Sequence, residues 1–152
     1  MTLEEALADA PLFASLDRRH RERLARAMTT RTFEADTTIL RQGSSAVTLY
    51  LILDGQVEVR RAPEAGAGGT AVLATLGPGD VFGEMALLDD EARSSSVTAR
   101  QPTTCALLSR WEFQQELHRA PDVAITLLGV LSRRVRQLDE RLAQYEERQV
   151  VP

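Results

Sequence analysis

Phe82-Gly83-Glu84-Met85-Ala86-Leu87-Leu88, followed after an acidic stretch by Arg93-Ser94-Ser95-Ser96-Val97, decides how this chain reads. The segment offers a short helix start, one carboxylate and one guanidinium, spaced by a small loop. Unpaired backbone N–H groups at a helix start carry partial positive charge. The planar Arg93 fork can hold oxygens of a compact anion with charge-assisted hydrogen bonds, and the Glu84 carboxylate can accept from a hydroxyl. Gly83 permits close approach of backbone to a ligand. Ala86 is small enough to leave its N–H open to an oxygen, and Ser94 adds a hydroxyl beside Arg93. A cyclic phosphodiester on a ribose with a free 2′-hydroxyl asks for that set. The competing reading is an ordinary Glu84–Arg93 ion pair, worth little at a surface.

On both sides of this segment, residues 29–109 show short alternating runs broken by turn signals. Runs at 37–41, 49–53, 56–60, 70–76, 95–99 and 104–108 read as strands. Asp54-Gly55 between two such runs is a hairpin signal, and Gly77-Pro78-Gly79-Asp80 is a further turn. Gly43 and Gly55 are expected to serve backbone geometry. Regularly spaced short strands suggest an antiparallel barrel or jelly roll.

Helical patterns flank this β region. Leu3, Ala6 and Leu7 form a short amphipathic stretch that Pro11 breaks, and Ser15 or Asp17 can cap a second helix to about Met28. Its Arg-rich face reads as solvated. Residues 111–118 give a short helix, and Pro121 with Asp122 opens a long one reaching about Arg148. Along it Leu128, Leu131, Val135, Leu138, Leu142 and Tyr145 alternate at spacings of three and four, a heptad seam. The fold expected is mainly β with flanking α: an antiparallel β-roll or jelly-roll barrel with N-terminal helices and a long C-terminal helix. Its segments are 1–28 (helical), 29–109 (ligand-binding β-roll) and 110–152 (C-terminal helices).

Bulk properties narrow the function. The chain has 152 residues, which suits one domain. A net charge of −4 gives no global attraction to nucleic acid or anionic lipid. Cys105 is the only cysteine, so no disulfide within the chain can form, and the residue reads as core. His20 and His118 offer no metal spacing. No signal-peptide core and no bilayer-length apolar run is present, so a cytoplasmic protein is expected. Ser94, Ser95 and Ser96 have no elbow or partner histidine, which disfavours serine nucleophile chemistry. An enzyme such as a phosphodiesterase would need a metal cluster or a placed base, and only Glu84 is a candidate, which disfavours that class.

From about Leu12 to about Leu142 the sequence resembles the cyclic nucleotide-binding domain family, with the 82–97 segment matching its phosphate-binding cassette. The resemblance implies a sensor, not an enzyme. Its ligand would be cyclic AMP or cyclic GMP, with no metal. Glu84 would take the ribose 2′-hydroxyl and Arg93 the exocyclic phosphate oxygens. Ser94 and the N–H groups of Gly83 and Ala86 would support the phosphate, and Met85 completes the run. The base would lie between strand residues, with Val47, Leu49, Val72 and Leu73 as candidates, and the long helix from Arg134 to Leu138. Where the catabolite-activator branch places helix hydroxyls near adenine, this chain has Leu138 and Asp139, a departure from that branch.

That branch also continues into a DNA-reading domain. No recognition helix is legible before Pro152, so no direct contact with nucleic acid or membrane is expected. The expected output is a homodimer through Leu128, Leu131, Val135, Leu138 and Leu142, or contact with a separate effector protein. The alternative is a ligand-free interaction module of the same fold.

Overall fold

The computed structural model describes residues 1–43, 47–62, 71–83, 87 and 95–150. These residues form eight strands and four helices: α1 (Leu3–Asp9), α2 (Arg18–Ala27), β1 (Thr29–Phe33), β2 (Thr38–Leu40), β3 (Thr48–Asp54), β4 (Val57–Arg61), β5 (Ala71–Leu76), β6 (Val81–Phe82), β7 (Ser96–Ala99), β8 (Thr103–Ser109), α3 (Arg110–Arg119) and α4 (Pro121–Val150). The strands make two four-stranded sheets in the orders β1-β8-β3-β6 and β2-β7-β4-β5. Every pairing among them is antiparallel.

Strand periodicity explains how the layers stack. Side chains alternate across a strand, so a strand buried on both faces must be apolar throughout. Leu49 and Leu51 of β3, with Ala106 and Leu108 of β8, face the helices. Ile52 and Cys105, on the opposite faces, join Phe33, Leu40, Val57, Phe82, Val97 and Ala99 between the sheets. Tyr50 stacks on Phe82 with ring centroids 4.9 Å apart. The helix-side core adds Ala6, Leu7, Phe13, Leu24 and Phe113, together with Val123, Leu127 and Val130 from the start of α4.

Local chemistry sets the helix ends. Thr2 and Glu5 form a reciprocal capping box on α1. Asp17 caps α2 and Ser109 caps α3 through side-chain oxygens. Pro121 opens α4, where a missing N–H costs nothing. No helix among the described residues is long and apolar enough to cross a membrane.

Asp54-Gly55 does not close a hairpin, contrary to the sequence expectation. β3 pairs with β6 and β8, whereas β4 pairs with β5 and β7. The dipeptide is a corner that carries the chain from one sheet to the other. Gly55 has φ +103°, and a Cβ there would stand 2.5 Å from Thr103 Oγ1 and 2.6 Å from the Pro102 carbonyl oxygen. The buried Thr103 hydroxyl donates to the Gln101 carbonyl at 2.8 Å. It also lies 3.3 Å from the Gln56 N–H, which donates to it. The turn signal was real, but the direction of exit is set by packing against the 101–103 segment.

Two expected outcomes follow from this packing. Gly55→Ala combines a left-handed φ with a backbone clash, and urea denaturation will show a loss of about 2 kcal/mol or more. Burial pushes the Cys105 thiol up to about 12 from 9.0. The native protein will therefore resist iodoacetamide at pH 8 and be labelled only on unfolding. Above pH 9.0 the unfolded thiol loses its proton while the folded thiol keeps it, so this group's contribution to stability falls between 9.0 and about 12. Cys105→Val will lack that slope in a pH series of thermal melts.

Candidate functional site

Two strands of different sheets flank the segment singled out in the sequence. The chain leaves the first sheet at Phe82 and enters the second at Ser96. Phe82 is buried between the sheets, and Leu87 is only 3% exposed in the helix-side core. Gly83 has φ +78°, a conformation that favours glycine. Glu84, Met85, Ala86, Arg93 and Ser94 lie outside the described residues.

The residues expected near a purine base are dispersed. Val72 lies on β5, the edge strand of the second sheet, opposite Arg60, and is 52% exposed. Leu138 stands on α4 at 60% exposure. Val47 and Leu73 are also open to solvent. Leu49 is a correction: it is fully buried in the helix-side core, because its face of β3 packs under the helices.

α4 divides into two parts. Val123, Leu127 and Val130 are buried, and no residue described beyond them is. An exposed stripe starts with Leu128 on the outer side of the foot and continues as Val135, Leu138, Leu142 and Tyr145 along the free part, each residue 56–65% exposed. A buried stripe on the early turns and an open one further along mean that the described core covers only the foot of the helix. The heptad seam expected from sequence is therefore largely unpartnered among the described residues.

Sequence reading missed an ionic joint among the helices. The Glu116 carboxylate of α3, 9% exposed, lies 3.3 Å from Arg23 Nε of α2 and 3.2 Å from Arg119 Nη1. Next to it is a cleft of about 260 Å³ lined by Arg23, Arg26, Ala27, Glu112, Glu116 and Arg119. Arg21 donates to the Leu16 carbonyl and Arg18 pairs with Glu22 at 2.9 Å. Arg23 thus ties α2 to α3, while Arg18, Arg19 and Arg26 remain on the expected solvated face. Only spatial proximity, not periodicity, brings Glu116 to Arg23, so no sequence signal marks the joint. Glu58 of β4 makes a second buried ionic group, with Arg60 beside it and Arg100 Nε at 3.2 Å.

No group of three or more His, Cys, Asp or Glu side chains among the described residues is arranged to hold a metal ion.

Residues 30–120 match the model of the cyclic nucleotide-binding domain. The chain belongs to that family. It is 33% identical over 123 residues to the cAMP-dependent protein kinase regulatory subunit of Schizosaccharomyces pombe, covering 81% of this chain and 28% of that protein. It is 40% identical over 104 residues to the cyclic AMP receptor protein of Thermus thermophilus, covering 68% of this chain and 47% of that protein. Among solved structures, the N-terminal domain of a transcriptional regulator from Streptomyces coelicolor A3(2) superposes with a TM-score of 0.82 at 29% identity, covering 90% of this chain and 94% of that one. The chain spans less than half the length of these two curated relatives.

Proposed function

We propose that this chain is a non-enzymatic, cytoplasmic sensor of a cyclic purine nucleotide that reports occupancy through α4. The observation that carries the reading is the family match across 30–120. That span contains the whole Gly83-Glu84-Met85-Ala86 run and Arg93-Ser94. The names of the Schizosaccharomyces and Thermus relatives both specify cyclic AMP, which favours cyclic AMP over cyclic GMP here. Glu84 accepts from the ribose 2′-hydroxyl, and Arg93 holds the exocyclic phosphate oxygens. Ser94 and the Gly83 and Ala86 N–H groups complete the phosphate cradle. The positive φ of Gly83 supports a close approach of backbone to the phosphate. Val72 and Leu138 contact the base.

A ligand shifts a helix only by binding one helix position better than another. Leu138, on the free part of α4, supplies such a difference if it closes over the base. The same stripe is the surface on which two copies pair, through Leu128, Leu131, Val135, Leu138 and Leu142. Parallel helices joined by a seam of this period bury apolar groups that are open in the single chain. The alternative output is contact of this stripe with a separate effector protein.

Titration calorimetry with cyclic AMP and cyclic GMP tests the ligand. Heat is expected with cyclic AMP, and Arg93→Ala is expected to weaken binding by about 1.5–3 kcal/mol, the worth of a hydrogen bond to a charged group. Absence of heat with either nucleotide, or affinity untouched by Arg93→Ala, contradicts the assignment. Sedimentation tests the seam. Val135→Glu with Leu142→Glu will convert the dimer to a monomer while leaving the β-roll folded. A wild-type chain that sediments as a monomer removes the pairing.

A further inference from the structure

Gln42 follows just after β2, and its side chain reaches past the start of β7 to the end of β4. Its Nε2 donates to the Ala62 carbonyl at 3.1 Å, and its Oε1 accepts from the Ala62 N–H at 2.8 Å. The Gln42 backbone N–H donates to Oγ of Ser96, the first residue of β7, at 2.8 Å. All three bonds are partly buried. One residue thus holds both the end of β4 and the point where the candidate phosphate segment enters the second sheet.

The strand register gives these bonds a meaning. β4 and β7 pair Glu58 with Thr98, Val59 with Val97 and Arg60 with Ser96. In an antiparallel ladder every second pair exchanges backbone hydrogen bonds. The Arg100 N–H donates to the Gln56 carbonyl at 2.9 Å, so the exchanging pairs fall on Gln56, Glu58 and Arg60. Continued in this register, the next such pair is Ala62 with Ser94. A carboxamide carries the same donor and acceptor as a peptide group. Gln42 therefore gives Ala62 both of the bonds that the Ser94 backbone would supply in a longer ladder. Ser94 itself lies outside the described residues.

We propose that Gln42 is a positioning residue for phosphate binding: its carboxamide caps the β4–β7 ladder at Arg60 and Ser96 and so keeps Arg93 and Ser94 out of the sheet, free for the ligand. The role needs one side chain with both a donor and an acceptor at the reach of glutamine. A ladder one step longer would engage the Ser94 backbone with Ala62. Successive side chains of a strand point to opposite faces, so it would also turn Arg93 and Ser94 away from each other. The positioning role rests on the reading of 82–97 as the phosphate segment, whereas the capping of the ladder does not.

The test uses the full chain as wild type and as Gln42→Met, a change that keeps the length of the side chain and removes both bonds to Ala62. Without nucleotide, amide exchange of Ser94 and nuclear Overhauser contacts between Ala62 and Ser94 read the ladder. The wild type is expected to show a fast-exchanging Ser94 amide and no such contact. In Gln42→Met the Ser94 amide slows severalfold and the contact appears. A Ser94 amide already protected and paired with Ala62 in the wild type overturns the capping without any substitution, and so does a variant in which neither signal changes. With cyclic AMP, calorimetry is expected to show binding by Gln42→Met weakened by about tenfold, the worth of one or two neutral hydrogen bonds, while the nucleotide-free melting temperature stays close to that of the wild type. An unchanged affinity, or one that falls only in step with the melting temperature, overturns the positioning role and leaves the proposed function standing. Absence of binding by the wild type overturns the proposed function and the positioning role together, and the nucleotide-free measurements still decide the capping.

Discussion

The pairing of β3 with β8 is the constraint on which the rest of the structure depends. These strands lie next to each other in the first sheet and are paired from Thr48 with Ser109 to Asp54 with Thr104. Each must satisfy two cores at once. Ile52 and Cys105 fill the space between the sheets, while Leu49, Leu51, Ala106 and Leu108 form the floor on which the helices pack. A slip of one residue would exchange these faces, emptying one core into the other. The corner at Gly55 follows directly on the end of this ladder at Asp54, and β6 pairs with the other edge of β3 at Tyr50 and Leu51.

From that floor the helical layer is tied by charge as well as by apolar contact. Glu116 links α3 to Arg23 of α2, and His20 links α2 to Asp122 of α4. Removing Arg23 would leave the Glu116 carboxylate, 9% exposed, with one fewer counter-charge, which is costly for a buried charge. α1, α2, α3 and the foot of α4 share one apolar cluster. Beyond Val130 no described residue of the helix is buried. A packed foot and an uncovered remainder are what the proposed reporting role of α4 calls for. The candidate phosphate segment begins and ends on strands of opposite sheets.

Much of the fold was legible in the sequence because its signals are local. Asp17 caps α2, Pro121 opens α4, and the run 104–108 is a strand, each set by a residue's own backbone chemistry or by period-two alternation. β1 was less legible because Phe33 is its only buried residue, so no alternation marks it. β6 has two residues and exists by pairing with Tyr50 and Leu51. Asp54-Gly55 carried a true turn signal and a false hairpin, since which strand a turn leads to is a property of the sheets. The candidate phosphate segment could be read from spacing alone because its groups lie within a dozen residues. The Glu116–Arg23 joint and the His20–Asp122 contact unite residues far apart in sequence, and no periodicity announces them.

Chemical-shift mapping of the labelled chain with cyclic AMP tests the central claim most directly, because it locates the ligand as well as detecting it. The account predicts the largest changes from Phe82 to Ser96, with a second set along α4 around Leu138. Shifts confined to the cleft between Arg23, Arg26 and Arg119, or none at saturating nucleotide, would contradict it.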